Sequence, residues 1–511
     1  MSKKHFVRKR KMRTKRALYN SISSLILQLV TVISGFILPR MIISAFGSEV
    51  NGAVSSISQF LGYISLLEAG VGGVTRAALY KPLAYTDNEK ISGITNASQD
   101  FFRKIAFMFV AYALVLSVGF KQISGTDMEW SFTSSLVLIL ATSTFAQYYF
   151  GITSTIILQA DQRSYVATLM QIVVVIMNTA ISVVLLRLGC SILVVKLASS
   201  GIYILRPLLL NAIVKKQYSL RKDVPPDNEA IKQRWNGFGH HIAFYIHNNI
   251  DIMIVTIALG LKWVSVYAIY YMIVGGIKNI VVSLTGGGEA AFGNMIAKNE
   301  HDVLNTRFHM IETLSSILIV VFFTTTGILI FDFIAIYAKG VNDINYIYIT
   351  FGMLFVVSEA LHCIKQQYHA LILAAGHYKE TQIGAFVEAA INVILSLIFV
   401  HYFGVIGVLM GTIIATSVRL LEYVLYLRKT ILYRKSRVFF ARLLTNLLNV
   451  GLILICCEIL PFQHAITYSS WILQAIQTLL IAGFITLGCN LIIYRDDVVG
   501  IAHRLKAVFQ R

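Results

Sequence analysis

The sequence is poor in charge: 14% of its 511 residues are Asp, Glu, Lys or Arg, whereas 56% are hydrophobic and the mean hydropathy is +0.70. So few charges would leave a water-soluble chain of this length with an insoluble surface, so lipid is the solvent for most of it. The five cysteines (Cys190, Cys363, Cys456, Cys457, Cys489) fall in apolar runs without metal or disulfide spacing and read as packing residues. No glycine-rich stretch continues into Gly-Lys-Ser/Thr, so ATP is not bound by a phosphate loop here. Acidic residues number 25 against 44 basic ones, a net charge of +19. A nucleic-acid partner would need those basic residues on one soluble face, and they lie instead in alternate loops, which excludes it.

What the sequence does have is apolar runs of 18 residues or more, each long enough to cross about 30 Å of hydrocarbon as a helix. They predict an all-α polytopic membrane protein of about 14 transmembrane helices, and the alternating short strands of a β-barrel are absent. The first eight are placed at 17–46, 52–79, 104–121, 131–158, 165–187, 190–213, 237–259 and 264–292. The rest are placed at 307–333, 349–374, 381–401, 405–427, 442–460 and 470–494. With the N-terminus inside, only Lys121, Arg187, Lys262 and Lys339 fall in outside loops, so both termini are expected to be cytoplasmic. The opening basic run resembles a signal-peptide n-region, but the apolar stretch after it is too long and lacks a cleavage site, so it reads as a retained first helix. That tail is expected to set topology and touch anionic membrane lipid.

Two parts of the chain echo each other. Phe46-Gly47 matches Leu259-Gly260, Ile157 to Ala160 matches Ile372 to Ala375, and Asn178 matches Asn392. The near-constant shift predicts two six-helix bundles related by a pseudo-twofold. The expected domains are a basic tail 1–16, a bundle 17–213, a cytoplasmic linker 214–236 with Pro225-Pro226, a bundle 237–427, and two more helices with a tail over 428–511. Outside loops are short, leaving no extracytoplasmic domain for chemistry, and the chain is expected not to be an enzyme.

A charge at the centre of a transmembrane helix costs about 2.5–3.5 kcal/mol, so each one is a functional candidate. In the tenth predicted helix Glu359, His362, Lys365, Gln366 and His369 recur at steps of three and four, a polar stripe fit for a wet lumen. The alternative is an internal ion pair, such as Glu359 with Lys365 or with a neighbouring helix. The seventh helix carries His241, Tyr245, Asn248 and Asp251. Glu388 and Asn392 lie one turn apart, and with Asp251, Thr412 and Thr416 they can form an oxygen-only site for Na+ or H+ as coupling ion, or else merely bond helices together. Glu68 and Arg76 lie in the second helix. Arg40, Lys278 and Lys365 are the cations expected to line the lumen, where positive donors in a low-dielectric cavity suit an anionic group. Arg206 and Arg419, near inner helix ends, can equally snorkel. The glycine clusters at Gly70, Gly72, Gly73 and at Gly286 to Gly288 read as packing or kink sites. No other cofactor or metal is expected, since Glu359-x-x-His362 is a single motif without further carboxylates.

On Phe36-Ile-Leu-Pro-Arg40 with Phe46-Gly47, Leu67-Glu68-Ala-Gly70, Ile156-Ile-Leu-Gln-Ala160, and Asn249-Ile-Asp251 leading to Leu259-Gly260 and Tyr267, the chain resembles the multidrug/oligosaccharidyl-lipid/polysaccharide exporter superfamily. Within it, the resemblance is to Wzx-like polysaccharide repeat-unit flippases. It implies V-shaped bundles around a cationic cavity and alternating access in a bacterial cytoplasmic membrane. The implied substrate is an undecaprenyl-pyrophosphate-linked oligosaccharide, and the implied partners are the polymerase and glycosyltransferases of the same pathway. The chain is also similar to lipid II flippases, although the arginines these place ahead of the Glu-Gly stretch are replaced here by apolar residues. Rival expectations are a drug or organic-cation exporter of the same fold, which should carry acidic and aromatic groups, and a non-transport component of glycan assembly.

Overall fold

The computed structural model describes residues 3–68, 71–235, 238–286, 289–460 and 465–509. Among them there are helices and no strands. In chain order these are α1 (Lys3–Gly62), α2 (Ser65–Glu68), α3 (Val71–Tyr85), α4 (Asn88–Ser124), α5 (Trp130–Ala146), α6 (Ile152–Ala160), α7 (Ser164–Arg187), α8 (Ile192–Tyr218) and α9 (Phe238–Leu259). Then follow α10 (Leu261–Thr285), α11 (Glu289–Ala297), α12 (His301–Tyr337), α13 (Ile349–Ala374), α14 (Gln382–Phe403), α15 (Val405–Thr430), α16 (Arg437–Ile459), α17 (Tyr468–Ile493) and α18 (Arg495–Phe509). One compact unit comprises Met1–Tyr245 with Leu259–Ser265, and the other Ile246–Ala258 with Val266–Arg511.

Eleven of these helical segments are long and apolar enough to cross a bilayer, which makes this a multi-pass membrane protein. The first of them, Leu18–Glu68, turns at Gly47, whose φ of 83° only glycine adopts without strain, so it is two successive helices. α13 falls outside the apolar set, and α9 contributes only the short apolar piece Asn249–Leu259. Both carry the polar residues singled out in the sequence. Side chains that face outward are apolar, as at Leu29, Phe484 and Ile492, the surface lipid requires.

The two halves of the sequence run through the same succession of turns. All residues with left-handed backbone in the described chain fall into six pairs: Gly47 with Gly260, Thr86 with Asn299, Gly125 with Gly340, Gln162 with Gly376, Gly189 with Gly404, and Ser219 with Tyr433. Partners are 213 to 215 positions apart. α4 and α12 are both 37 residues long. The units differ where the first inserts a π turn at Gln147–Gly151 between α5 and α6, opposite the unbroken α13. There Gly151 lies against Pro207, and a side chain would collide with it.

Some helices differ from expectation. The second predicted span is divided among the end of α1, which closes at Gly62, α2, and α3, which opens on Val71-Gly72-Gly73, glycine being a weak helix former. The eighth ends at Thr285, and α11 begins a new helix after the glycine run. Gly70, Gly287 and Gly288 lie outside the described residues. α4 and α12 begin well before their apolar cores, as amphipathic extensions that an apolarity criterion overlooks. Within the second unit, the last helices pack on α12 through Ile317, Val321, Ile453 and Ala482.

Candidate functional site

The site begins with two small residues. Gly407 and Gly411, spaced four apart on α15, leave no room for a side chain: a Cβ at Gly407 would strike the Phe399 carbonyl, and one at Gly411 would strike Ser396. This small-xxx-small spacing lets α14 and α15 approach backbone to backbone, the usual basis of tight helix pairing in lipid. Close approach brings the Thr412 hydroxyl to 3.1 Å from Asn392 Oδ1, where the Ser396 hydroxyl also donates, at 3.1 Å.

The Thr412 hydroxyl also lies 3.2 and 3.0 Å from the two oxygens of Asp251 on α9, so its single proton is shared between that carboxylate and Asn392, and the Tyr267 hydroxyl on α10 donates to the same carboxylate at 2.9 Å. Asp251 is buried, 8% exposed. The Tyr267 ring is flanked by Phe351 and Phe355, with ring centroids 6.0 and 5.1 Å away. No ion pair to Asp251 occurs among the described residues.

One turn before Asp251, His247 joins this carboxylate to a second group of charges. Asn392 Nδ2 donates to the His247 carbonyl at 3.1 Å. The His247 ring lies 3.2 Å from Glu388 Oε1, 3.4 Å from the Thr416 hydroxyl and 3.5 Å from Lys365 Nζ. Glu388 is paired with Lys365 at 2.5 Å and with Arg419 at 3.6 Å. Arg419, 1% exposed, also donates to Glu422 at 2.7 Å and to the Thr381 carbonyl at 2.9 Å, and its guanidinium lies over the Tyr423 ring. Nearby on the same unit, Lys278 pairs with Glu359 at 3.0 Å and lies 5.3 Å from the centre of the Tyr271 ring.

Lys278, Lys365 and Arg419 thus pair with Glu359, Glu388 and Glu422, which leaves Asp251 as the carboxylate of the group with no cationic partner among the described residues. Its neighbours are hydroxyls and an amide. Such an oxygen-lined carboxylate can hold one monovalent hard cation or a proton.

The sequence-selected residues divide as follows. Asp251, Asn392 and Thr412 come together. Glu388 does not join their oxygen set, because Lys365 and Arg419 hold it, and Thr416 turns to His247 instead. Lys365 does not pair with Glu359: six residues of α-helix turn it about 120° away, so the two reach different partners. Lys365 is buried, whereas Lys278 is half-buried. Gln366, His362 and His369 are half-buried on α13, with His369 stacked on Tyr423 at 5.8 Å. Glu68, Arg76 and Arg40 belong to the first unit, where Glu68 accepts from the Tyr148 hydroxyl at 3.0 Å and Arg76 is exposed. Arg206, also there, donates to Gln147 at 3.3 Å. The side chains of Asn248, His241 and Glu289 lie outside the described residues.

Sequence reasoning passed over His247 and Tyr267 as members of the network, although the spacing His247-x-x-x-Asp251 places both on one face of α9. It also passed over a second ionic cluster in the same unit. There Glu312 on α12 accepts from both Nη atoms of Arg434 and from the Tyr368 hydroxyl, while Arg442 on α16 reaches Thr313 and, at 3.5 Å, Asp497 on α18. A lone glutamate opening an apolar run was the available signal.

The first unit repeats the turns without the charges. At the corresponding shifts Asp251, Lys365, Glu388 and Arg419 fall on Leu38, Gly151, Val174 and Leu205. Asn392 and Ser396 do have counterparts, Asn178 and Ser182, both buried, and Asn178 accepts from Ser199 at 2.5 Å. The fold therefore does not require these charges.

No protein-family model and no curated protein matches the sequence. Solved structures do share its fold. "Lipid II flippase MurJ, inward closed conformation" aligns with a TM-score of 0.67 at 14% identity, covering 94% of this chain and 99% of that one. A multidrug resistance MATE family transporter of the MOP superfamily in its inward-facing conformation aligns at 0.62 and 16% identity, over 80% and 98%. The MATE multidrug transporter DinF-BH aligns at 0.60 and 14%, over 82% and 97%. The chain shares the fold of these three structures.

Proposed function

We propose that this protein is a flippase that carries an undecaprenyl-pyrophosphate-linked oligosaccharide, a capsule, O-antigen or exopolysaccharide repeat unit, from the inner to the outer leaflet of a bacterial cytoplasmic membrane. Alternating access moves the headgroup while the polyprenyl tail stays in lipid, and no covalent step is involved. The observation that carries the lipid substrate is the extent of the fold match. The flippase alignment covers more of the chain than lies before α16, so it takes in part of the last helices; the multidrug alignments are short enough to stop before them. In the second unit Lys278, rather than the enclosed Lys365, is the cation proposed to meet the pyrophosphate.

Coupling is proposed at Asp251. A cation shifts a conformational equilibrium only as far as its affinity differs between the two states. A buried carboxylate with one uncompensated charge and hydroxyl donors from α10 and α15 gains most from a cation in one arrangement of those helices and least in another. The glycan polymerase and glycosyltransferases of the pathway are the proposed partners.

A second reading, export of organic cations, is favoured by the aromatic surround of Asp251 at Tyr267, Phe351 and Phe355. Deleting the gene in its host and following lipid-linked oligosaccharide and surface glycan by mass spectrometry separates the two. Accumulated lipid-linked unit with loss of surface polymer supports the flippase. Unchanged glycan with lowered resistance to cationic compounds overturns it in favour of the exporter.

A further inference from the structure

α18 is not one of the apolar spans, yet it is fixed against α12 in a definite register. Asp497 accepts from the Thr313 hydroxyl at 2.7 Å, and Gly500 gives way to the Met310 side chain, which a Cβ would strike. One turn further, Arg504 and Arg307 line the same cavity. As one index rises by three or four, the other falls by three, the signature of two antiparallel helices in contact. The register therefore puts two arginines on the wall of one cavity, and their like charges repel unless an anion is bound there. Neither makes an ion pair among the described residues.

The cavity they line has a volume of about 550 Å³ and is bounded by the end of α10, by α11, by the first turns of α12 and by α18. Its apolar lining includes Phe292, Met295, Ile311 and Leu314, and Glu300 is the one carboxylate on the lining among the described residues. Leu284 and Val303, also on the lining, are 56% and 44% exposed, so apolar surface continues outward from the cavity. Two arginines on a cavity whose lining is otherwise largely apolar and continues into exposed apolar surface fit an anionic amphiphile. They do not fit a free anion, which would have no use for the apolar lining, or a neutral apolar molecule, which would strand the arginines.

We propose that this cavity binds one anionic glycerophospholipid from the leaflet against which α18 lies, with the phosphate between Arg307 and Arg504 and the first acyl carbons along Phe292 and Ile311. Bound this way, the lipid closes the contact between α18 and α12. The site is separate from the network around Asp251 and does not rest on the transport reading.

The test is native mass spectrometry of the purified full-length protein in detergent, supplied with phosphatidylglycerol or phosphatidylcholine. The wild type should retain one phosphatidylglycerol and little phosphatidylcholine. Arg307→Ala with Arg504→Ala should bind phosphatidylglycerol about 30-fold more weakly, the effect of two basic side chains at a lipid surface. The double lysine variant should keep binding, and Ala291→Trp, which fills the cavity with both arginines intact, should abolish it. Equal retention of the two lipids, retention by the double alanine variant that melts like the wild type, or displacement by millimolar inorganic phosphate would overturn the proposal.

Discussion

At the scale of single residues, the second unit holds two kinds of buried carboxylate. Glu388 is neutralised on the spot by Lys365 and Arg419, whereas Asp251 is hydrogen-bonded but not neutralised. Their substitutions should behave differently. Asp251→Asn keeps the shape and most hydrogen bonds, so the protein should accumulate normally while surface glycan is lost when it replaces the wild type in a deletion host. Normal glycan from that variant would remove Asp251 from the coupling role. Lys365→Met breaks a buried pair and should cost roughly 3–5 kcal/mol. Adding Glu388→Gln should restore most of that, since Arg419 keeps Glu422 and the Thr381 carbonyl, and thermal unfolding of the three variants in one detergent reads this out. The sequence singled out Asp251, Asn392 and Thr412, which are in contact in the structure, because their polarity in apolar helices is visible residue by residue. It could not assign partners for Lys365, Glu388 and Glu359, because pairing depends on how each helix is rotated and which neighbour it meets.

At the scale of elements, helix placement was legible because a span needs a fixed length of apolar sequence, and each predicted span has a helical counterpart. The breaks within spans were less legible, since a left-handed turn at Gly47 or a π turn at Gln147–Gly151 barely changes hydropathy. The contact that builds the site, α14 against α15, depends on Gly407 and Gly411. Gly411→Val should force the two helices apart, lengthen the Asn392–Thr412 contact and cost about 1–3 kcal/mol as overpacking. Gly483 on α17 has open space where its side chain would be, and Gly483→Val should leave the melting temperature unchanged. Similar melting of the two valine variants would show that the α14–α15 approach is not under steric control.

For the whole molecule, the proposed orientation has a direct readout. Alkaline phosphatase fused after Arg511 should be inactive and green fluorescent protein bright there, while phosphatase inserted at Lys339 should be active. The reverse pattern would invert the topology, and with it the direction of transport proposed above. Charge counts gave this expectation because basic residues resist translocation, a property of the loops that needs no knowledge of packing.

The six paired left-handed turns have a practical corollary. They give the protein an internal control, because positions of the charged network outside the stretch of α13 opposite the π turn have uncharged counterparts in the other half of the chain. Asn178 and Asn392 are such a pair, both buried and both bonded to a serine hydroxyl. Whatever Asn178→Ala does to stability is the toll of losing an amide at that point of the scaffold. The excess effect of Asn392→Ala is then what the amide contributes to work rather than to folding, a subtraction that few proteins allow within a single chain.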